Sequence, residues 1–152
     1  MKKVEFERLP YSVQAEIASI LFERIPELAH YWSWEYVLQT LIDLPDPIML
    51  QRGTVGLREI KGCEFRANGS IAVKKYAHMT RSGLEPPPIL VEDRELLDGW
   101  HRCMALATCG RLQVDAVDIK PLLEMDWESW QHGNIPPNAP VRSHILNVIH
   151  AL

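Results

Sequence analysis

The segment Ile89–Asp98 constrains the fold of this chain more than any other part of it. Two short apolar runs, Ile89–Val91 and Glu95–Asp98, are separated only by the charged turn Glu92–Arg94, and this spacing predicts two neighbouring strands. Three prolines, Pro86–Pro88, precede the first run, as expected where a loop leads into a strand. The chain is therefore expected to contain a sheet that includes this pair of strands.

A helix is predicted directly after the second strand. Gly99 permits a sharp turn, Trp100–Cys109 then reads as a helix, and Gly110 follows at the position where helices commonly end. A strand, a turn and a helix in immediate succession are typical of α/β and α+β proteins. We therefore predict the α/β (α+β) class with a small sheet.

The remaining elements are predicted from apolar periodicity and from residues that begin or end helices. Pro26 ends the first helix at Ile25, and Ser33 and Ser70 are N-caps of two later helices. The predicted helices run over 10–25, 33–42, 70–83 and 141–152. Further strands are predicted over 55–60 and 114–119.

We predict one domain over residues 1–152, because a chain of this length buries about 68–70% of its extended surface without disulfides or metals. It comprises a helical N-terminal extension over 1–47, a core over 48–120 and a helical C-terminal extension over 121–152. Both extensions carry apolar faces, and neither is long enough to form a core easily by itself. We therefore expect both to pack on the central sheet.

The charge balance is acidic, with 16 Lys and Arg against 20 Asp and Glu and a formal net charge of −4. A protein that coats DNA normally has a basic surface, so any contact with nucleic acid must come from a local patch. The basic residues of the central segment that are candidates for such a patch are Lys74, Lys75, Arg81, Arg94, Arg102 and Arg111.

Three cysteines, Cys63, Cys103 and Cys109, form no CxxC pair, and an odd number at this spacing favours reduced thiols. The charged start of the chain lacks the apolar core of a signal peptide, and no run approaches the roughly 18 apolar residues of a membrane span. We expect a cytoplasmic protein without a membrane span. The histidines have no metal-ligand spacing with the cysteines, so no protein metal site is predicted.

The turn at Gly99 is the segment that indicates chemistry. The first N–H groups of a helix have no partner within it and carry partial positive charge, which makes the start of a helix an anion site. His101 and Arg102 lie in this first turn, where arginine grips phosphate as a bidentate fork and histidine donates or exchanges a proton. Asp98 either caps the helix, orients His101 or binds a metal, and Trp100 either packs or stacks on a base.

The order of these pieces resembles the ParB/sulfiredoxin superfamily over about 65 residues, from Val55 to Ile119. A leading strand, a helix, Pro-Pro-Ile-Leu-Val, a second strand and Asp-Gly-Trp-His-Arg with its helix follow in the order usual for that family. The resemblance implies a small mixed sheet and a site for ATP or another nucleoside triphosphate, with Mg²⁺ as the expected companion. The residues that it implies for phosphate binding are Gly99, His101 and Arg102. Trp100 is added to the expected nucleotide-binding residues as a ring on which a base stacks.

Two departures from the family narrow the function. Trp100 stands where sulfiredoxins carry their catalytic cysteine, and Cys103 is nearly a turn further along, so thiol reductase chemistry is not expected. We also expect no helix-turn-helix DNA reader of the chromosome-partition type, for which the chain ends too soon. The Asp-Gly-x-His-Arg form is similar to phage and plasmid ParB-like nucleases and nucleotide hydrolases, including fertility-inhibition factors, and to free serine kinases.

The resemblance to the kinases implies that a carboxylate of the leading segment, Glu59 or Glu64, activates a hydroxyl or water beside the phosphate. Alternatively, Glu59 is simply a solvent-exposed residue at the end of the predicted strand, without a catalytic role. The expected catalytic residues are Glu59, Asp98 and His101.

The expected function is hydrolysis of a nucleotide or of DNA phosphodiesters, or regulation of DNA-transfer or partition machinery. DNA or a DNA-processing protein is the expected partner. The alternatives are a small-molecule kinase of the free serine type and a non-enzymatic interaction protein that retains only the phosphate site.

Overall fold

The mixed α/β class predicted from the sequence is confirmed. The computed structural model describes residues 1–67 and 69–127, apart from the side chains of His30 and Tyr31. The elements in chain order are β1 Lys2–Glu5, α1 Tyr11–Arg24, α2 Leu28–Tyr31, α3 Trp34–Asp43, β2 Met49–Gly56, α4 Ile71–Arg81, β3 Ile89–Glu92, β4 Glu95–Asp98, α5 Trp100–Thr108, β5 Gln113–Asp118 and α6 Lys120–Leu123. Short 3₁₀ turns cover Phe6–Arg8 and Leu57–Glu59.

The sheet has five strands in the order β1-β2-β5-β3-β4. β5 lies in its middle, antiparallel to β2 and parallel to β3, while β3 and β4 form an antiparallel hairpin. The register places Val55 opposite Val114 and Ile89 opposite Ala116. Because β3 and β4 are consecutive and α5 follows β4 directly, the start of α5 lies at one end of this hairpin.

The chain divides into two compact units, Met1–Lys3 with Gln51–Lys120 and Val4–Leu50 with Pro121–Leu152. The divisions after Leu50 and Lys120 lie near the predicted boundaries at 47/48 and 120/121, and the division after Lys3 was not predicted. The single domain over 1–152 stays a prediction. The packing of the two extensions on the core stays a prediction. The predicted closing helix over 141–152 and Trp130 lie outside the described residues.

The first unit contains two apolar clusters that fix the position of α5. One joins sheet residues such as Val55, Ile89 and Val91 to Cys103 and Leu106 of α5. The other, formed by Val73, Ala77, Met104 and Ala105, joins α4 to the opposite side of α5. Since α5 is buried on two sides, its first turn is held in place by packing rather than by the loop before it.

The second unit is stabilised by a buried glutamine and by the predicted helix boundaries. Gln14 is 5% exposed, and its Nε2 donates to the carbonyl groups of Phe6, Glu7 and Leu9 at 3.1 Å each. α1 ends at Arg24, before Pro26, as predicted. Ser33 caps α3, with its Oγ accepting from the N–H of Tyr36 at 3.2 Å.

Two strand predictions were wrong. The strand predicted over 55–60 begins earlier, as β2, and ends at Gly56, because Leu57–Glu59 close a 3₁₀ turn in which the N–H of Ile60 donates to the Leu57 carbonyl. β1 was missed within a segment predicted to be helical. Its charged residues, Lys2 and Lys3, fit an edge strand, whose exposed positions commonly carry lysine.

Candidate functional site

Gly99 forms the turn between β4 and α5 in a conformation that strongly favours glycine. Its φ is +118° and its ψ is 19°, within the range of positive φ that L-residues rarely adopt. A Cβ built on Gly99 would lie 2.5 Å from Cγ2 of Ile89 and 2.9 Å from its Cβ. Glycine is therefore required here twice, by the backbone torsion and by the close approach of β3.

The N-terminus of α5 has no side-chain cap. By contrast, Ser33 and Ser70 each accept a hydrogen bond from the first turn of the helix they precede. Asp98 is exposed, and its Oδ1 accepts from the N–H of Gly99 at 2.9 Å, which fixes the turn without reaching the helix. No side chain at the N-cap position thus competes with an anion for the start of α5, and the binding of an anion there stays a prediction.

Trp100 and His101 stand exposed beside these amides. The indole ring of Trp100 is 41% exposed, and its centroid lies 5.2 Å from the His101 ring at an interplanar angle of 84°. A tryptophan of this exposure adds little to a core, so the alternative of pure packing is weakened. The pair presents an aromatic face and an imidazole at the entrance to the turn.

Arg102 is turned inward, although the sequence treats it as a phosphate ligand. Only 6% of Arg102 is exposed, and its Nη1 donates to the carbonyl of Pro88 at 2.8 Å and to that of Pro87 at 3.4 Å. Prolines have no N–H, so these carbonyls lie in a run that offers acceptors and no donors. In this conformation Arg102 ties the loop before β3 to the start of α5; its contact with phosphate stays a prediction.

The structure brings Asp98, Gly99, Trp100 and His101 together but places Glu59 elsewhere. Glu59 is exposed, and its Oε2 lies 3.4 Å from Nη1 of Arg94. Arg94 and Gly99 flank opposite ends of β4, roughly 16 Å apart at about 3.3 Å per residue. A role for Glu59 as base therefore requires a substrate that reaches from the Gly99 turn to the Asp93–Arg94 turn between β3 and β4.

The alternative carboxylate, Glu64, is also engaged with a cation. Its Oε2 lies 2.9 Å from Nη2 of Arg66, and both side chains are about four-fifths exposed. At such exposure an ion pair contributes at most roughly 1 kcal/mol. Glu64 therefore stays accessible to solvent, and a catalytic role for it remains a prediction.

Sequence reasoning missed the residues that stabilise the β3–β4 hairpin at the end of β4 away from Gly99. Asp93 and Arg94 both have positive φ, 48° and 68°, in a two-residue turn of the kind that usually contains glycine. Asp118 accepts from the N–H of Asp93 at 3.1 Å, and Nζ of Lys120 lies 2.6 Å from Oδ2 of Asp93. The only sequence signal was the absence of glycine from a turn this short.

Cys103 is a core residue rather than a reactive thiol. It is fully buried between α5 and the sheet, and desolvation raises its pKa from 9.0 to about 12, against a smaller lowering by Arg102 and a smaller increase from Cys63. A thiol with this pKa carries almost no thiolate near neutral pH. The expectation that thiol chemistry is absent is consistent with this environment.

We predict that Cys103 resists alkylation at neutral pH and that its burial makes stability pH-dependent. The folded state holds the proton up to about pH 12, whereas the unfolded thiol loses it near pH 9. Stability from this group is therefore complete below pH 9 and falls by up to about 1.4 kcal/mol per pH unit as the pH rises above it.

Urea unfolding of the wild type and Cys103→Ala at pH 8 and pH 10 measures this contribution. The variant should lose less stability over that interval. Labelling of Cys103 by iodoacetamide as fast as Cys63 or Cys109, both half-buried, would contradict its assignment as a protected core residue.

Metal and membrane features were searched over the residues that the structure describes. Within 1–67 and 69–127, no group of three or more His, Cys, Asp or Glu side chains is arranged to hold a metal ion. A magnesium ion that accompanies a triphosphate needs only one or two protein carboxylates besides the phosphates, and Asp98 supplies one at the turn. No helix of the same part of the chain is long and apolar enough to cross a bilayer.

No known protein family, curated protein or solved structure matches this chain. The resemblance to the ParB/sulfiredoxin superfamily therefore stays a prediction. It rests on the element order and the residues of the Gly99 turn alone.

Proposed function

We propose that the turn Asp98–His101 binds the phosphate groups of a nucleoside triphosphate, with ATP as the first candidate. The observation that carries the proposal is the α5 N-terminus, which begins at a left-handed glycine, has no side-chain cap and stands beside an exposed histidine and tryptophan. The order β2–α4–β3–β4–α5–β5 is the one that the ParB/sulfiredoxin resemblance implies, and it supports the same assignment.

Each residue of the turn has a distinct part in this proposal. The N–H groups of the first turn donate hydrogen bonds to phosphate oxygens, and His101 donates another. Trp100 offers a ring face on which a base stacks. Arg102 positions the turn by holding the Pro87 and Pro88 carbonyls. Asp98 would hold a Mg²⁺ ion that accompanies the phosphates, and this ion would supply charge neutralisation.

The proposed reaction is hydrolysis of the nucleotide or of a phosphodiester, in the manner of the phage and plasmid branch of the superfamily. A second candidate is a nucleotide-binding regulator of DNA-processing proteins that performs no hydrolysis. The pairing of Glu59 with Arg94 at the far end of β4 favours this second candidate, because it places the expected catalytic base Glu59 away from the Gly99 turn. A phosphorylated small molecule as product would instead identify a kinase of the free serine type.

We predict that ATP with Mg²⁺ stabilises the protein and that His101→Ala weakens this binding roughly 10- to 150-fold. A ligand at 100 times its dissociation constant stabilises a protein by roughly 2.7 kcal/mol, which thermal unfolding detects readily. Loss of one charge-assisted hydrogen bond costs roughly 1.5–3 kcal/mol. Calorimetric titration with ATP, ADP, CTP and GTP, each with Mg²⁺, measures both effects.

His78→Ala is the matched control, because His78 is exposed in the last turn of α4 rather than the first turn of α5. We expect it to leave nucleotide affinity unchanged. Equal affinity of the His101→Ala variant and the wild type, with both folded, would remove His101 from the site; absence of binding to all four nucleotides would overturn the proposal.

A further inference from the structure

A second concave surface lies at the other end of α5 from the Gly99 turn. Two adjoining clefts of about 480 and 500 Å³ share Leu57, Arg58 and Phe65. We call them together the arginine groove, which is lined by Leu57, Arg58, Phe65, Arg66, Arg111 and Leu112 and also by the carboxylates of Glu59 and Glu64. α5 has nine residues, so its two ends are about 13 Å apart and the groove is separate from the proposed phosphate site.

Arg58 and Arg111 line the same cleft of the groove. The N–H of Leu57 donates to the carbonyl of Leu112 at 2.9 Å just beyond the end of the β2–β5 ladder, and the two arginines lie next to this contact in the sequence. Over residues 1–67 and 69–127, neither arginine has an ion pair, whereas the two glutamates of the groove are paired with Arg94 and Arg66. Two unpaired cations in one cleft repel each other, and an anion bound between them relieves that repulsion.

The backbone beneath both arginines is fixed. Gly110 has a φ of +72°, and the N–H of Arg111 donates to the Leu106 carbonyl at 2.9 Å, which closes the C-terminus of α5. Arg58 lies within the 3₁₀ turn that ends β2. The backbone positions of both arginines are thus set before an anion binds, so that only their side chains are ordered on binding.

An aromatic ring and an exposed leucine complete the groove. Phe65 is half-buried, packed on the apolar clusters of both α4 and the sheet, while Leu112 is 75% exposed. Guanidinium groups that grip phosphates, placed around an aromatic ring, are the arrangement by which proteins bind single-stranded nucleic acid without reading its sequence. A peptide made only of acidic residues pairs with the arginines but has no aromatic or apolar group that packs on the Phe65 ring.

We propose that the arginine groove binds a segment of single-stranded nucleic acid, with phosphates on Arg58 and Arg111 and a base against Phe65. The binding is independent of sequence, because every base has a face that stacks. It does not depend on nucleotide binding at the Gly99 turn. The acidic net charge of the chain keeps this contact local to the groove.

Fluorescence anisotropy with a short labelled oligothymidylate, at about 50 to 200 mM salt, tests the proposal. We expect Arg58→Ala and Arg111→Ala each to weaken binding roughly five- to tenfold and to reduce the slope of log affinity against log salt by about 0.7 per lost phosphate contact. Phe65→Leu keeps an apolar side chain and is expected to weaken binding about tenfold through lost stacking.

The controls separate this proposal from its competitors. Arg81→Ala removes an exposed arginine at the end of α4 and should change affinity less than twofold, and His101→Ala should not affect it. If Arg81→Ala weakened oligonucleotide binding as much as Arg58→Ala and Arg111→Ala do, the effect would reflect the net charge of the protein rather than the groove. Displacement of the oligonucleotide by an equal charge of polyglutamate, tighter binding of duplex DNA, or full displacement by ATP at a concentration that saturates its own site would each overturn the assignment.

Discussion

Replacement of Gly99 by alanine is expected to destabilise the protein by about 3–5 kcal/mol. A positive φ of this kind costs a non-glycine residue about 1–3 kcal/mol. The added methyl group would lie 2.5 Å from Cγ2 of Ile89, and overpacking of this kind costs about 1–3 kcal/mol more. Since whole domains are stable by only 5–15 kcal/mol, chemical denaturation should show a large fall in the midpoint.

Gly110→Ala is the matched control for the backbone torsion. Gly110 also has positive φ, 72°, but a Cβ built there meets nothing within 4 Å. It should therefore cost about 1–2 kcal/mol, through the torsion alone. In the Gly99→Ala background, Ile89→Leu moves the branched carbon of residue 89 away from the new Cβ of residue 99. This second substitution should recover part of the lost stability. Equal costs for the two glycine variants would contradict the close approach of Ile89 to the turn.

Replacement of Arg102 by methionine is expected to destabilise the protein by about 2–3 kcal/mol. Methionine retains most of the apolar stem of arginine, but it leaves the carbonyl groups of Pro88 and Pro87 without the donor they have at 2.8 and 3.4 Å. Hydrogen bonds to charged groups contribute about 1.5–3 kcal/mol, and an unsatisfied buried acceptor costs a similar amount.

Two further variants make this prediction specific. Arg102→Lys keeps a charged donor and should recover part of the stability lost in Arg102→Met. Arg81→Met removes an exposed arginine and should change stability by no more than about 0.5 kcal/mol. Urea unfolding of all three variants measures the series. Unchanged stability of Arg102→Met would show that the guanidinium does not hold the proline loop and would restore its assignment as a phosphate ligand free of a structural role.

The local structure around the site was predictable because local residues determine it. Gly99 after an apolar strand, Ser70 before a helix and Pro26 after one each restrict the backbone within a few residues, and the elements that they bound lie close to where the sequence places them. The β3–β4 hairpin and α5 follow from the same reasoning. The start of the candidate site, a helix directly after a glycine turn, was therefore predictable before any tertiary contact was known. The missing side-chain cap was not predicted, because the sequence left Asp98 as an alternative cap.

The parts that could not be predicted depend on contacts distant in sequence. Arg102 points inward because the carbonyls of Pro87 and Pro88, fourteen or more residues earlier, accept from it. Glu59 pairs with Arg94 because a 3₁₀ turn ends β2 before the strand pattern does. Arg58 and Arg111 likewise line one cleft because the N–H of Leu57 donates to the Leu112 carbonyl just beyond the β2–β5 ladder.

The central claim is that the amides at the start of α5 hold nucleotide phosphate. Titration of ¹⁵N-labelled protein with ATP and Mg²⁺, followed by two-dimensional amide NMR, tests it most directly. The account predicts that the backbone amides of Trp100, His101 and Arg102 show the largest shifts, with those of Arg58 and Arg111 little changed. Saturable ATP binding that leaves the three amides at the start of α5 unmoved, or no binding at all, would contradict it.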